Sequence, residues 1–274
     1  MLSKRKFIKL STLMAVSGGI PYNVFAKEIN AFTNLIKRAG FEHNTSFMTV
    51  DLRSNKIIGR YNEKLRLPIA SVTKMVTACY YLANNFKPER FKTQLFTDGV
   101  IKGNVLHGDL YLKGYGDPTL KTDDLSLFVD AVKKLGVTKV QGALFYDNSY
   151  LPDIHYINKS QLPQYAYNPG MGAINLNENR ILFKWRRLDK AKYKTSLTAP
   201  GLQNNAEVAN ITMDLENNKG PVYSYKLDEN KFEERWSVNR RILGKKGSRW
   251  LPVRESAYYA TEALKQLLID GGVP

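Results

Sequence analysis

The chain has 274 residues, of which 43% are apolar and 11% are aromatic, and these globular values exclude a disordered chain. The formal net charge is +16, which favours anionic partners. Only one cysteine is present, so an internal disulfide is excluded.

The start of the chain has the three regions of an export signal. Basic residues between positions 4 and 9 precede a short apolar stretch at 10–20, and 24–26 is a small-residue cleavage site. The apolar stretch is too short for a stable membrane anchor. The pattern predicts that residues 1–26 are a signal peptide and that the mature protein lies in the periplasm. The basic region also resembles a twin-arginine signal with Lys in place of the first Arg, so the Sec and twin-arginine routes both stay open.

The next segment predicts a helix followed by a hairpin and a second helix. Apolar residues recur at helical spacing over 28–38, and Gly40 closes that run. Two β-rich runs at 46–52 and 56–61 predict a hairpin. An apolar, helix-capable run then follows Pro68.

The remaining chain is mainly strand-like, with Gly, Pro and Asn punctuating the runs. Strands are predicted at 94–97, 109–113, 140–146, 180–184, 208–215 and 222–227. Helices are predicted at 123–135 and at 255–268. Asp117-Pro118 predicts a turn, and Cys79 is expected to pack in a core because free cysteine behaves as a small hydrophobe.

Ser71-Val72-Thr73-Lys74 is the strongest candidate for chemistry. Residues three apart share one helix face, so the spacing predicts that Lys74 adjoins Ser71. A neighbouring amine can activate a serine hydroxyl by taking its proton. The partial positive charge of a helix N-terminus also favours a developing alkoxide. The alternative is that Ser71 is an ordinary helix cap, where serine is common.

Five short sequence segments, called phrases below, occur one after another along the chain. They are Leu67–Ala78, Gly108–Leu120, Phe145–Ser149, Ala173–Asn179, and Leu251–Val253 leading into Ala257–Ala260. Together they resemble the penicillin-recognising serine hydrolases, and within them the D-alanyl-D-alanine carboxypeptidase/endopeptidase family of the penicillin-binding protein 4 (DacB) type. The resemblance runs from about Phe47 to the last residue.

The resemblance implies an α/β (α+β) fold with a beta-lactamase/transpeptidase-like catalytic domain that is incomplete. Residues 27–86 and 250–274 would form this partial domain. Residues 87–249 would form a large inserted β-rich accessory region.

The resemblance also implies a reaction. Ser71 would be the nucleophile that forms an acyl-enzyme, and Lys74 would be the general base. The substrates would be peptidoglycan stem peptides, and beta-lactams would act as acylating inhibitors. No cofactor is expected. No metal is expected either, because His43, His107 and His155 lack the spacing of converging ligands.

Two of the three motifs that the family needs are not found in their expected places. The family uses S-x-x-K, S-x-N and K-T-G, and the last two would follow the helix that begins near Glu255. Ser237-Val238-Asn239 and Lys245-Lys246-Gly247 are local look-alikes in the wrong context. The chain as given is therefore expected to be truncated and weakly active or inactive. The alternatives are a catalytically dead peptidoglycan-binding fragment of an interrupted gene and, less favoured because of the long inserted region, a β-lactamase.

The basic charge predicts association with an anionic wall or membrane surface, and the alternative is a well-solvated lysine-rich surface. Nucleic acid is not an expected partner, because the sequence has no RNA- or DNA-binding motif.

Overall fold

A computed structural model gives the fold of most of the chain. The residues that the structure describes are 32–84, 90–189, 192–217, 220–228 and 230–274. The predicted signal at 1–26 lies outside them. The chain divides into two compact units, residues 1–88 and 89–274. Within the described part of the chain, no helix has the length and apolar character needed to cross a membrane.

The first unit contains two helices and one hairpin. They are α1 (residues 32–38), β1 (Phe47–Asp51), β2 (Lys56–Tyr61) and α2 (Thr73–Ala83), with a 3₁₀ turn at Ala70–Val72. The predicted hairpin is confirmed, and so is the predicted helix over its described part. The Asp51 carboxylate shapes the hairpin turn by accepting hydrogen bonds from the Arg53 N–H at 2.9 Å and the Ser54 hydroxyl at 2.8 Å.

The second unit begins with six short strands and one helix. They are β3 (Thr93–Thr97), β4 (Val100–Lys102), β5 (Val105–His107), β6 (Leu110–Gly114), α3 (Thr122–Lys134), β7 (Lys139–Val140) and β8 (Leu144–Asp147). These strands form two three-stranded sheets, with orders β3-β6-β8 and β4-β5-β7.

The rest of the second unit supplies two more sheets and the last helix. Its elements are β9 (Arg180–Arg187), β10 (Tyr193–Pro200), β11 (Asn205–Glu207), β12 (Ile211–Glu216), β13 (Tyr223–Asp228), β14 (Glu233–Asn239), β15 (Lys246–Pro252) and α4 (Ser256–Asp270). The sheet orders are β11-β10-β9-β15 and β12-β14-β13. The predicted mixed α and β character is confirmed.

Helix α4 packs inside the second unit. Its apolar face buries Ala260, Ala263 and Leu264 completely, as the helical spacing of these residues predicts. The helix contacts α3, β8 and β11. The assignment of residues 250–274 to a partial catalytic domain stays a prediction.

The predicted strand at 140–146 is two strands, β7 and β8, with an interruption between them. Gly142 lies in the interruption, where a Cβ atom would sit 2.2 Å from the backbone oxygen of Gly108. This close approach of two backbone segments accounts for the glycine and for the break in the strand.

Candidate active site

Ser71 and Lys74 lie side by side at the start of α2. The Lys74 Nζ is 3.0 Å from the Ser71 Oγ and donates a hydrogen bond to it. Ser71 lies in the 3₁₀ turn and Lys74 in the first turn of α2. The spacing argument thus predicted the pair correctly, although the serine precedes the α-helix. Ser71 does not cap α2, since neither the turn nor the helix has a side-chain cap at its N-terminus.

The backbone before Ser71 adopts an unusual conformation. Ala70 has φ of +43°, in the left-handed region that residues other than glycine rarely adopt. The Thr73 hydroxyl donates to the Ala70 carbonyl at 2.9 Å, and the Val72 N–H donates to the Ile69 carbonyl at 2.9 Å. These two hydrogen bonds hold the turn that presents the Ser71 hydroxyl. Strained residues of this kind cluster at functional sites.

Helix α2 is exposed along its whole length. None of its residues is buried, and Met75, Val76 and Leu82 are about two-thirds exposed, at 66%, 65% and 72%. Cys79 is exposed as well, so the expectation that it packs in a core is wrong. The apolar sequence neighbours of Cys79 favour core packing, but the described residues do not bury this helix.

The Gly108–Leu120 phrase contains strand β6 and the turn that follows it, and the Phe145–Ser149 phrase contains the end of strand β8 and its following turn. Asp117 accepts from the Thr119 N–H at 2.8 Å and the Thr119 hydroxyl at 2.6 Å, which confirms the predicted turn. Asp147 forms an ion pair with Lys113 at 2.7 Å and accepts from the Ser149 N–H at 3.0 Å. The Lys113 and Ser149 hydrogen bonds lower the pKa of Asp147 to about 2.

The Ala173–Asn179 phrase forms a left-handed turn. Asn177, Glu178 and Asn179 have φ of +52°, +54° and +53°, which asparagine tolerates better than most residues. The buried Asn179 amide donates to the Gly170 carbonyl at 2.8 Å, and its oxygen accepts from the Leu176 N–H at 3.0 Å. The asparagines of this phrase thus replace backbone hydrogen bonds that a strand or helix would provide.

The Ser237-Val238-Asn239 and Lys245-Lys246-Gly247 segments contact other residues of the second unit. Ser237 lies in the central strand β14, and its hydroxyl is 2.5 Å from that of Ser224. Asn239 accepts from the Arg241 N–H at 3.0 Å. Gly247 pairs with Trp185 across β15 and β9. These contacts support the interpretation that neither segment is a catalytic motif.

A buried charged cluster in the second unit was not anticipated from the sequence. Glu234 is completely buried and accepts from the Arg254 N–H at 2.8 Å, the Glu255 N–H at 3.0 Å and the Tyr225 hydroxyl at 3.1 Å. Burial raises the pKa of Glu234 to about 7, against the opposing effect of these hydrogen bonds. The Glu233-Glu234 pair in a strand gives no sequence signal that distinguishes the buried carboxylate from the exposed one.

The Arg254 guanidinium anchors the long loop that precedes β9. It is 1% exposed, lies 4.2 Å from the centre of the Tyr156 ring and donates to the Pro163 carbonyl at 2.9 Å. It also donates to the carbonyls of His155 and Asn168. The cluster therefore ties the start of α4 to a loop that has little regular structure of its own.

The second unit also has an apolar cavity of about 740 Å³. Its apolar lining includes Leu151, Ile154, Ile157, Tyr167 and Met171, with Arg180 among the polar residues. The described residues contain no group of three or more His, Cys, Asp or Glu side chains that could hold a metal ion. His155 instead lies 3.2 Å from the Glu255 carboxylate.

The chain belongs to the D-Ala-D-Ala carboxypeptidase 3 (S13) family, whose model matches residues 34–274. It is 31% identical over 139 residues to D-alanyl-D-alanine carboxypeptidase DacB of Haemophilus influenzae. That match covers 51% of this chain and 28% of the relative. The predicted family resemblance is confirmed.

Two solved structures share the fold. Penicillin-binding protein 4 (dacB) from Haemophilus influenzae matches with a TM-score of 0.56 at 21% identity, over 82% of this chain and 50% of that chain. The same protein complexed with a novel beta-lactam matches with a TM-score of 0.52 at 20% identity, over 84% of this chain and 52% of that chain. The chain thus spans about half the length of these structures.

Proposed function

We propose that this chain carries the nucleophile and the general base of a serine-type D-Ala-D-Ala carboxypeptidase that acts on peptidoglycan stem peptides. The observation that carries the proposal is the 3.0 Å contact between the Lys74 Nζ and the Ser71 Oγ, in a chain of the S13 family. A nucleophile and base within hydrogen-bond reach are the elementary requirement for covalent catalysis by serine.

The reaction follows from this pair of atoms. With the Lys74 amine unprotonated, the Ser71 Oγ attacks the carbonyl carbon of the penultimate D-alanine while its proton passes to the Lys74 Nζ. The tetrahedral intermediate then expels the nitrogen of the terminal D-alanine, which takes that proton. Water hydrolyses the remaining ester and frees Ser71. Backbone N–H groups, that of Ser71 among them, would hold the oxyanion.

A beta-lactam would enter the same step. Ser71 would open the lactam ring and keep the product as an ester, because the leaving nitrogen stays attached to the acyl group. The Haemophilus influenzae structure in complex with a beta-lactam supports this part of the proposal. An endopeptidase reaction would differ only in the group attached to the leaving nitrogen.

The chain by itself is expected to turn over substrate weakly. No K-T-G is present in the sequence. In the Ser237-Val238-Asn239 look-alike, Ser237 bonds to Ser224 of the same sheet and Asn239 accepts from the Arg241 N–H just after the strand. In the family that the chain resembles, the second oxyanion N–H comes from the strand that carries K-T-G, and losing one oxyanion donor costs about 10²–10³ in rate. A peptidoglycan-binding protein without activity remains the alternative.

Fluorescent penicillin with mass spectrometry of the labelled peptide tests the proposal. The full chain is assayed alone and with a polypeptide from a DacB relative that supplies S-x-N and K-T-G. We expect labelling of Ser71 in the complemented sample, its loss in Ser71→Ala, and a decrease of about 10²–10⁴ in rate in Lys74→Ala. Ser54→Ala is the matched control, since Ser54 is exposed in the same unit and bonds to Asp51 instead of a lysine.

Label on another serine would contradict the assignment of Ser71. Equal labelling rates for Lys74→Ala and the unchanged chain would contradict the role of Lys74. D-alanine release by the chain alone, absent in Ser71→Ala, would contradict the expectation of weak turnover but not the assignment of the pair.

We also propose that the protein is exported to the periplasm. The ordered basic, apolar and small-residue regions before Lys27 motivate this proposal. N-terminal sequencing of the protein from a periplasmic fraction should find a start near Lys27, and a purely cytosolic pool with Met1 intact would refute it.

A further inference from the structure

The sheet β11-β10-β9-β15 has one buried face and one open face. Along β9, Ile181 and Phe183 are fully buried, whereas Lys184 and Arg186 are exposed. Successive side chains of a strand point to opposite faces, so the two cations share the outer face. Trp185 is on the inner face, where its ring stacks on that of Phe183 at a centroid distance of 5.3 Å.

The strand register places three cations in one row on the outer face. Arg186 of β9 pairs with Lys194 of β10 on one side and with Lys246 of β15 on the other. All three are exposed, and none forms an ion pair with a carboxylate of the described residues. Like charges directly opposite each other destabilise a sheet. Contacts among the described residues therefore do not explain why three cations lie side by side in this row.

The next row on the same face contains a cation between two hydroxyls. Lys184 pairs with Ser196 on β10 and with Ser248 on β15. The two rows contribute six of the nine residues that line a shallow trough of about 630 Å³, and Trp185, Thr195 and Gly247 of the intervening row contribute the other three. One row further on, the exposed Glu207 of β11 pairs with Thr198 of β10. Ammonium, guanidinium and hydroxyl groups are donors that suit phosphate oxygens.

The hairpin end of this sheet also exposes an apolar side chain. Leu188, which directly follows β9, is 58% exposed. Lys192 lies across the same turn, and its backbone N–H donates to the Asp189 carboxylate at 2.8 Å. Apolar insertion and attraction of basic side chains both contribute to binding at the surface of an anionic bilayer.

We propose that this basic sheet face, formed by Lys184, Arg186, Lys194, Lys246, Ser196 and Ser248, docks on a bilayer surface that carries anionic phospholipid headgroups. The two-row array of donors fits a layer of headgroups, which also offers an interface into which Leu188 can insert. A soluble phosphate polymer would meet the cations but would give the exposed leucine no partner. The inference is independent of the reaction proposed for Ser71.

Sedimentation with vesicles tests the proposal on the full chain. The vesicles contain equal parts of phosphatidylglycerol and phosphatidylcholine, or phosphatidylcholine alone. We expect binding only to the anionic vesicles, and weaker binding at higher salt. Each lysine or arginine near such a surface contributes about fivefold in affinity. The triple variant R186Q/K194Q/K246Q should therefore bind about 100-fold more weakly.

A second triple variant controls for net charge. Lys102, Lys139 and Lys226 are exposed in the same unit but lie outside the basic sheet face, so K102Q/K139Q/K226Q should keep most of the binding. Leu188→Ser should weaken binding also at high salt, because its contribution is apolar. Far-UV circular dichroism and thermal unfolding report whether each variant is folded.

Three outcomes would overturn the proposal. One is that the unchanged chain does not bind the anionic vesicles. Another is an equal loss of binding in the two triple variants, which would show that net charge alone matters. The third is that the unchanged chain binds soluble polyphosphate but not vesicles, and that R186Q/K194Q/K246Q no longer binds the polyphosphate. This result would assign the basic sheet face to a soluble polymer.

Discussion

Replacement of the buried Glu234 by glutamine should stabilise the second unit at neutral pH. Glutamine has nearly the shape of a protonated glutamic acid and is always neutral. Its oxygen can accept the Arg254 and Glu255 N–H groups, which now donate to the carboxylate at 2.8 and 3.0 Å. Its amide can donate to the Tyr225 oxygen in place of the present bond. The variant therefore isolates the cost of the buried charge.

The magnitude follows from the pKa of Glu234. Burial raises this pKa from 4.5 to about 7. Between these two pH values the folded chain binds more protons than the unfolded chain, so the free energy of unfolding falls as the pH rises. Each pH unit corresponds to about 1.4 kcal/mol. Ionised Glu234 should thus cost about 3 kcal/mol above pH 7, and almost nothing below pH 4.5.

Tryptophan fluorescence during urea unfolding measures this effect in the second unit alone, because Trp185, Trp236 and Trp250 all belong to it. We expect Glu234→Gln and the unchanged chain to have similar stability near pH 4.5. By pH 8 the variant should be more stable by about 3 kcal/mol. The difference between the two proteins removes the contributions of other titrating groups.

Glu233→Gln is the matched control, since Glu233 lies next in the strand with a side chain 38% exposed and pairs with Arg235 at 3.0 Å. Its effect should be small and should vary little over this pH range. A Glu234→Gln variant that loses stability as the pH rises, relative to the unchanged chain, would refute the reasoning. That result would mean that the ionised carboxylate is stabilised by Arg254 more than burial destabilises it.

Two further variants test the packing of the second unit. Asn179→Ala should lower the free energy of unfolding by about 3 kcal/mol, because buried backbone groups lose their partners. Asn179→Gly should lose less stability, since glycine tolerates the left-handed backbone, but it should remain less stable than the unchanged chain. Equal stability of Asn179→Gly and the unchanged chain would refute the role of the amide. Gly247→Val should cost about 1–3 kcal/mol, since a Cβ atom there would lie 2.3 Å from the Trp185 ring. Urea unfolding followed by fluorescence measures both, and an unchanged midpoint for Gly247→Val would show that the ring moves freely.

The local elements of this protein could largely be predicted from residue patterns. The hairpin of β1 and β2, helix α3 and helix α4 have strong periodicity and clear turn residues, and all three appear where expected. Strand β10 was missed. Its alternation of lysine, threonine and serine with tyrosine and leucine becomes a strand signal only when β9 and β11 provide hydrogen-bond partners on both sides.

The sequence by itself also determined the family and the candidate nucleophile. Ser71 and Lys74 are three residues apart, so the geometry of one turn brings them together without any help from distant residues. The Ala173–Asn179 phrase contributes to the family resemblance, but the left-handed turn at Asn177–Asn179 could not be predicted from it.

Only the tertiary structure decided which polar residues are buried and which apolar residues are exposed. Glu233 and Glu234 are neighbours of one type, yet strand alternation and the sheet beside them bury only the second. Helix α2 is apolar by sequence but exposed along its length. The row of Lys194, Arg186 and Lys246 exists because strand pairing aligns residues that are far apart in the chain. Local periodicity predicts which face of an element is apolar. It does not show whether a distant segment covers that face, or which residues pair across neighbouring strands.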